Sequence, residues 1–207
     1  MEIELKYVFD DPAIVDQLFS DEKIRAARDQ KAEQIIPMHA VYYDTADRDL
    51  RQEHIAYRIR REGKNHVCTV KWDGSSENGM HRRNEINVPV CDRSLIEEPT
   101  VDLFQQSEVW ERLNTITGNK KLVPLLDMRF DRREVRLDTG RSISVFSVDQ
   151  GEIIGNGKTL PLLELEIELF SGDEEDILRI GDYISEKYGL KPENRSKFER
   201  GYALVQE

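Results

Sequence analysis

Met1-Glu2-Ile3-Glu4-Leu5-Lys6-Tyr7-Val8-Phe9 opens the chain. In an extended strand the side chains alternate faces, so Glu2, Glu4 and Lys6 share one side while Ile3, Leu5 and Tyr7 share the other. Taken alone, this describes a half-buried edge strand with a solvated outer face. The same split recurs, however: Arg58 and Arg60 against Tyr57 and Ile59, Thr69 and Lys71 against Val70 and Trp72, Arg83 and Glu85 against Ile86 and Val88. Leu163-Glu164-Leu165-Glu166-Ile167-Glu168-Leu169 then puts Glu164, Glu166 and Glu168 on one face of a strand whose other face is aliphatic. Like charges two residues apart repel, so such a run calls for cations among them, either a metal or facing Lys and Arg.

The order of elements follows from the same patterns. Asp11-Pro12 and the stripe Ile14, Val15, Leu18 and Phe19 predict a helix. Strands are predicted at about 33–45, 55–62, 66–72 and 80–90, with a short helix from Ala46 to Leu50, a hairpin turn at Gly63-Lys64-Asn65 and a loop over 73–79. A helical pattern covers about 100–117, stopped by Gly118; Leu122–Leu137 and Arg141–Val148 read as partner strands around Asp138-Thr139-Gly140. After the carboxylate strand come a helix over Asp173–Tyr188 and a terminal helix capped by Ser196.

Some eight strands, mostly antiparallel and each charged on one face, fit a closed barrel in an α+β fold. If the charges pointed outward, the aliphatic faces would fill the core and the helical stripes would have nothing to cover. With the charges inward, the helices cover an apolar outside, and the interior becomes a polar tunnel. That tunnel would carry Glu2, Glu4, Glu85, Glu164, Glu166 and Glu168 with Lys6, Arg58, Arg60, Lys71 and Arg83, and by a weaker pattern Arg129, Arg133 and Asp149. Oxygen ligands without a His or Cys cluster favour Mg2+ or Mn2+ over zinc, and Arg and Lys suit phosphate oxygens.

With 207 residues and 38% hydrophobic content, the chain reads as one domain spanning 1–207. A net charge of -11 argues against a duplex nucleic-acid partner. The sequence has no apolar run of membrane-spanning length and no signal-peptide pattern at its start, so no membrane partner and a cytoplasmic location are expected. Cys68 and Cys91 lack metal-ligand spacing and read as free thiols, and no P-loop pattern occurs.

The Glu2-x-Glu4-x-Lys6 opening resembles the signature of the CYTH superfamily, the triphosphate tunnel metalloenzymes. Further matches follow in order: Tyr43-Asp44-Thr45, Tyr57-Arg58-Ile59-Arg60, Thr69-Val70-Lys71, Arg83-x-Glu85, Val148-Asp149-x-Gly151, the Glu164/Glu166/Glu168 strand and Ser196-Lys197-Phe198-x-Arg200-Gly201-Tyr202. The likeness is greatest to the bacterial inorganic triphosphatases, though the helical CHAD domain that often follows in them is expected to be absent, and Asp127 stands where relatives often carry Lys. The resemblance implies an eight-stranded tunnel and hydrolysis of a small-molecule triphosphate by metal-activated water. Glu2, Glu4, Lys6 and Glu168 would be catalytic; Glu2, Glu4, Glu85, Asp149, Glu164, Glu166 and Glu168 would hold Mg2+ or Mn2+. Lys6, Arg58, Arg60, Lys71, Arg83, Arg129, Arg133, Lys197 and Arg200 would bind substrate.

Other readings stand beside these. Arg129 and Arg133 read equally well as structural ion-pair partners, Arg132 and Arg136 as surface, Tyr42 and Tyr43 as packing, and His81 as a hydrogen-bonded rim residue. A class IV type adenylate cyclase, a nucleoside or thiamine triphosphatase and a non-catalytic polyphosphate module would use the same tunnel. The sequence leaves the oligomeric state open.

Overall fold

Strands that must hide one charged and one apolar face are satisfied together only if the sheet closes on itself. The computed structural model, which describes residues 1–206, shows that closure. The strands are β1 (Glu2–Val8), β2 (Gln34–Asp44), β3 (Ala56–Glu62), β4 (Asn65–Glu77), β5 (Met80–Pro89), β6 (Val123–Asp138), β7 (Ser142–Gly155) and β8 (Lys158–Gly172). They pair in the order β5-β4-β3-β2-β6-β7-β8-β1, and a β1–β5 pairing completes an antiparallel eight-stranded barrel. A two-residue strand, β9 (Lys191–Pro192), adds to β1 at Tyr7 and Val8.

The helices are α1 (Ile14–Ser20), α2 (Glu22–Ala27), α3 (Asp49–Gln52), α4 (Ser94–Glu97), α5 (Trp110–Thr117), α6 (Glu174–Tyr188) and α7 (Lys197–Gln206). Leu5 and Tyr7 of β1, Phe146 and Val148 of β7 and Leu165 and Ile167 of β8 form one buried cluster with Leu18, Phe19, Ile24, Ile177 and Ile184 of α1, α2 and α6. Tyr57, Ile59, Cys68 and Val70 of β3 and β4 form another with Leu50 and Leu113 of α3 and α5. Each such aliphatic or aromatic side chain contributes roughly 1.5–3 kcal/mol by leaving water. No helix among the described residues is long and apolar enough to cross a membrane.

Helix α7 lies across one end of the barrel. A reciprocal capping box starts it: Ser196 Oγ accepts from the Glu199 N–H at 3.2 Å, and the Glu199 carboxylate accepts from Ser196 N–H at 2.8 Å. Phe198 packs with Met38, Tyr42, Leu126, Met128, Phe130, Ile153 and Leu162, and its ring stacks on Tyr42 at 5.0 Å. Gly201 permits this approach, because a Cβ there would stand 2.7 Å from Ile153 Cγ2 and 2.9 Å from Leu126 Cδ1.

Several elements differ from their sequence patterns. The expected helix over 100–117 divides into a 3-10 turn at Val101–Phe104 and α5, with Ser107 Oγ donating to Phe104 O at 2.6 Å between them. The short helix begins at Asp49 instead of Ala46, because the Asp44 carboxylate accepts from the Leu50 and Arg51 N–H groups, both at 3.0 Å. Residues 73–77, expected in a loop, continue β4 after a register shift between Trp72 and Ser75. Strand β7 extends past Val148 to Gly155, where Asn156 (φ 50°) and Gly157 (φ 73°) form the two-residue turn into β8.

Asp21 ties α2 to α6. Its carboxylate accepts from the Lys23 N–H at 2.9 Å and the Ile24 N–H at 3.4 Å, and also from Lys187 Nζ at 2.7 Å and Tyr188 Oη at 2.9 Å. Burial pushes this carboxyl up, but the bonds from Lys187, Tyr188 and the two backbone groups prevail and hold it down to about 2. Because the folded value lies below the unfolded one, the stabilisation is complete above pH 4 and disappears as the pH falls through 2. Asp21→Asn should therefore destabilise the protein at pH 7 by roughly 1–2 kcal/mol. Thermal melts from pH 7 to pH 2 should show the gap to the native protein closing below about pH 4.

Candidate active site inside the barrel

Strand alternation sends Glu2, Glu4 and Lys6 of β1 inward. In the antiparallel register Glu4 faces Glu168, Lys6 faces Glu166, and Glu2 faces Arg83 of β5. Lys71 of β4 stands beside Glu85 of β5, and Thr69 beside Asn87. Arg58 and Arg60 come from β3, Arg132 from β6 and Lys197 from the first turn of α7. These side chains, with Tyr42, Met128, Phe130 and Phe198, line a cavity of about 170 Å³.

The charges sort into three groups. In the first, Lys71 Nζ donates to Glu2 at 2.8 Å and contacts Glu85, while Arg83 donates from Nε to Glu2 at 2.7 Å and from its terminal nitrogen to Glu4 at 2.6 Å. Burial opposes ionisation of these carboxyls, but the neighbouring cations prevail and hold Glu2 and Glu4 below their ordinary values and Glu85 near 2.

The second group is deeper. Asp149, Glu164 and Glu166 present oxygens within 4.8 Å of one another. Cations of the protein already reach them. Arg132 donates to both Asp149 oxygens at 2.7 Å and to Glu166 at 2.6 Å. Lys197 Nζ lies 2.7 Å from Asp149 and 2.8 Å from Glu166, Lys6 donates to Glu166 at 2.7 Å, and Lys197 and Arg200 both contact Glu164. Despite burial, Lys197, Lys6 and Arg132 hold Glu166 well below the usual carboxylate range.

The third group is unbalanced. No ion pair or hydrogen bond reaches the Glu168 carboxylate among the described residues, and burial together with Glu2 and Glu4 pushes its carboxyl up to about 7. On the opposite side Arg60 is crowded by Arg58 and Arg132, of which Arg132 is paired with Asp149 and Glu166, while Arg58 is raised, despite its burial, by Tyr42, Glu85 and Glu2. Burial, Arg58 and then Arg132 lower the Arg60 guanidinium below its usual value, although Glu62 accepts from Arg60 Nε at 2.7 Å. Arg58 donates to Thr69 Oγ1 at 3.2 Å, but its Nε is buried without a partner. In the ring of strands β8 and β1 stand across from β3 and β2, so the carboxylate wall faces the guanidinium wall.

The structure brings Glu2, Glu4, Lys6, Arg58, Arg60, Lys71, Arg83, Glu85, Glu166, Glu168 and Lys197 to the cavity. Asp149, Glu164 and Arg200 lie outside the cavity lining, bound to the cations and carboxylates described above. Arg129 and Arg133 do not enter the barrel. Arg129 is mostly exposed and pairs with Asp127 at 2.9 Å, and Arg133 bridges Glu33 and Asp16, each at 2.6 Å. The inward residues of β6 are Met128, Phe130 and Arg132, so Arg132, read from sequence as surface, is an interior residue.

Tyr42 also enters the site, beyond its packing on Phe198. Burial would raise its phenol, but Arg58, Lys71, Lys197 and Arg83 prevail and lower it. Its sequence signal was parity: Tyr42 pairs with Arg58 in register, and two positions away on the same face is Ala40, paired with Arg60. His81 is buried, with Nε2 2.8 Å from Glu193 O.

Comparison with known proteins agrees with this architecture. The inorganic triphosphatase of Haemophilus influenzae is 29% identical over 163 residues, 79% of this chain, which spans 44% of that longer protein. A Hippeastrum protein named for adenylyl cyclase, with a dominant triphosphatase activity, superposes with a TM-score of 0.73 at 21% identity, over 99% of this chain and 97% of its own. A Bacillus halodurans protein named for adenylate cyclase gives 0.65 at 18% identity, over 97% and 96%. The CYTH domain model matches residues 1–202, and the chain belongs to the CYTH domain family.

Proposed function

We propose that this protein is a divalent-metal-dependent triphosphatase that converts inorganic triphosphate to diphosphate and phosphate. The observation that carries the reading is the pair of facing walls, Glu2, Glu4 and Glu168 on one side and Arg58, Arg60 and Arg132 on the other. A cation beside the carboxylates and a polyanion beside the guanidinium groups would relieve the crowding at Glu168 and at Arg60 together. The inorganic triphosphatase from Haemophilus influenzae supports the choice of substrate.

Glu2, Glu4 and Glu168 would hold Mg2+ or Mn2+, since all offer hard oxygen donors and Glu168 forms no ion pair among the described residues, Lys71 acting on it only at a distance. When bound, the ion supplies Lewis acidity toward phosphoryl oxygens. Arg58, Arg60 and Arg132 grip the phosphates through paired N–H groups, while Lys71, Arg83 and Lys197 add charge along the chain. Fixed in this way, the terminal phosphorus is presented in line to water. The water oxygen bonds to it as the bridging P–O bond breaks, the water gives up its proton to the released phosphates or to bulk water, and the diphosphate leaves with the electron pair while the cations stabilise its charge. Nucleoside and thiamine triphosphates are lesser substrates in this reading.

Phosphate release from triphosphate, ATP and thiamine triphosphate, assayed separately, should be highest for triphosphate, cease in excess chelator and return with Mg2+ or Mn2+. Undiminished turnover in chelator, or cyclic AMP as the main product from ATP, would overturn the proposal.

Glu168→Gln keeps the volume but removes the charge, and should reduce turnover by roughly 100-fold or more. The same residue makes a prediction about the metal-free fold. Its folded value of about 7 lies above the ordinary 4.5, so its contribution to stability is present below pH 4.5 and is lost as pH rises through 7. The native melting midpoint without metal should fall between pH 5 and pH 8 by more than that of Glu168→Gln, and parallel curves would count against the like-charge crowding.

Arginine substitutions separate the two sides of β6. Arg132→Lys should reduce kcat/KM for triphosphate by about tenfold or more, because a point charge cannot replace a forked donor. Arg129→Lys and Arg133→Lys should stay within about twofold, because both pair with carboxylates outside the barrel interior. Equal losses at all three positions would contradict the assignment.

A further inference from the structure

Among the arginines lining the cavity, Arg60 is held by Glu62, Arg83 by Glu2 and Glu4, and Arg132 by Asp149 and Glu166. Arg58 is held differently. It is buried, yet it forms no ion pair among the described residues, and Glu85 and Glu2 act on it only from a distance. Its guanidinium lies 5.9 Å from the Tyr42 ring centroid, and Nη2 donates to Thr69 Oγ1 of the neighbouring strand at 3.2 Å.

Thr69 is itself tied to the next strand. Its Oγ1 donates to Asn87 Oδ1 at 2.7 Å, and Asn87 Nδ2 donates to Glu85 Oε1. Arg58 faces Thr69 across β3 and β4, and Thr69 faces Asn87 across β4 and β5, so the bonds run along one row of the barrel wall. Charge at Glu85 fixes their direction. Burial opposes its ionisation, but Lys71 and Arg58 prevail and hold the carboxyl at about 2, so at neutral pH it only accepts. It therefore takes an N–H of the Asn87 amide, which turns Oδ1 toward Thr69. That oxygen takes the one hydroxyl proton, and the hydroxyl is left with only lone pairs to offer Arg58.

Thr69 is 0% exposed and stands outside the cavity lining, behind Arg58. A carboxylate in its place would also orient the guanidinium, but it would compensate the charge and compete with a phosphate for the same N–H groups. A hydroxyl fixes one N–H and leaves the charge in place. Arg58 Nε is buried without a hydrogen-bond partner, so that edge of the guanidinium is still open.

We propose that Thr69 is a positioning residue: with Asn87 it forms a neutral, one-directional hydrogen-bond relay, anchored at Glu85, that aims Arg58 at the phosphate chain without neutralising it. The proposal rests on the triphosphatase reading and deepens it, naming what orients a substrate-binding arginine.

The test is a double-mutant cycle on the Mg2+-loaded protein with triphosphate, read in kcat/KM and in Kd by calorimetry, with thermal melts to establish that each variant is folded. Thr69→Val keeps the shape and removes the hydroxyl, and should lower kcat/KM about tenfold, chiefly through KM. Thr69→Ser keeps the hydroxyl and should stay within about threefold. In an Arg58→Met background, Thr69→Val should cost less than about a further twofold, because the group it orients is gone. Equal losses from Thr69→Val with and without Arg58, no loss at all, or a Ser variant as impaired as the Val variant would overturn the relay. Should Thr69→Val not fold, Asn87→Ala breaks the same chain one bond further out, and a loss that is additive with Arg58→Met has the same adverse meaning. If the native protein binds triphosphate without hydrolysing it, the triphosphatase reading falls separately and the cycle in Kd decides the relay. Failure to bind triphosphate at all overturns both.

Discussion

Lys6 is 1% exposed, and its ammonium lies 2.7 Å from Glu166, 3.3 Å from Glu4 and 3.8 Å from Glu164. A buried cation persists only when surrounded in this way, and removing one side of such a pair typically costs about 3–5 kcal/mol. The backbone of the same residue is equally engaged, with its N–H donating to Gly79 O at 2.8 Å and its carbonyl accepting from the Glu193 N–H at 3.0 Å. One residue therefore joins β1 to the β4–β5 turn, to the acids of β8 and to the segment leading into α7. The barrel closes around an ion-pair network because the charged faces have nowhere else to be satisfied.

That network does not balance uniformly. Around Asp149, Glu164 and Glu166 every carboxylate meets a protein cation, and the arrangement behaves as a structural anchor for Arg132, Lys197 and Arg200. Toward Glu168, and toward Arg60, like charges gather without full compensation. A fold selected for stability alone would neutralise these groups or replace them with apolar side chains, which is often the more stable choice. The residual imbalance is the part of the interior that points outside the protein itself, toward a cation and a polyanion.

The period of two made most of this visible in sequence. In β1, β3, β4, β5 and β8 the charged parity is the inward parity, and those strands supplied the cavity residues Glu2, Glu4, Lys6, Arg58, Arg60, Lys71, Arg83, Glu85, Glu166 and Glu168. In β6 the rule inverts. There the inward positions beneath α7 are the apolar Leu126, Met128 and Phe130, and Arg129 and Arg133 occupy the charged outer face with Asp127, Glu33 and Asp16 as partners. Which parity of a strand faces inward depends on what fills the barrel at that level, and a helix from the far end of the chain decides it. Strand alternation carries no information about that helix, so the interior place of Arg132 was hidden, whereas the parity of Tyr42 with Arg58 already pointed it inward.

Helix α7 then links packing to chemistry. Lys197, Phe198, Arg200 and Gly201 occupy its first turns, and three different requirements fall on these few positions. Gly201 sets how closely the helix approaches Leu126 and Ile153; Phe198 fills the apolar end against Tyr42; and Lys197 reaches Asp149 and Glu166. Residues three and four apart are neighbours on a helix surface, so Gly201 lies beside both Phe198 and Lys197 and a change in one contact shifts the others. The helix cannot be loosened at its apolar contacts without moving Lys197 and Phe198, and both line the cavity. Its hydrophobic seat therefore fixes the position of a cation at the site, which is how a contact between Gly201 and two aliphatic side chains acquires a consequence for phosphate binding.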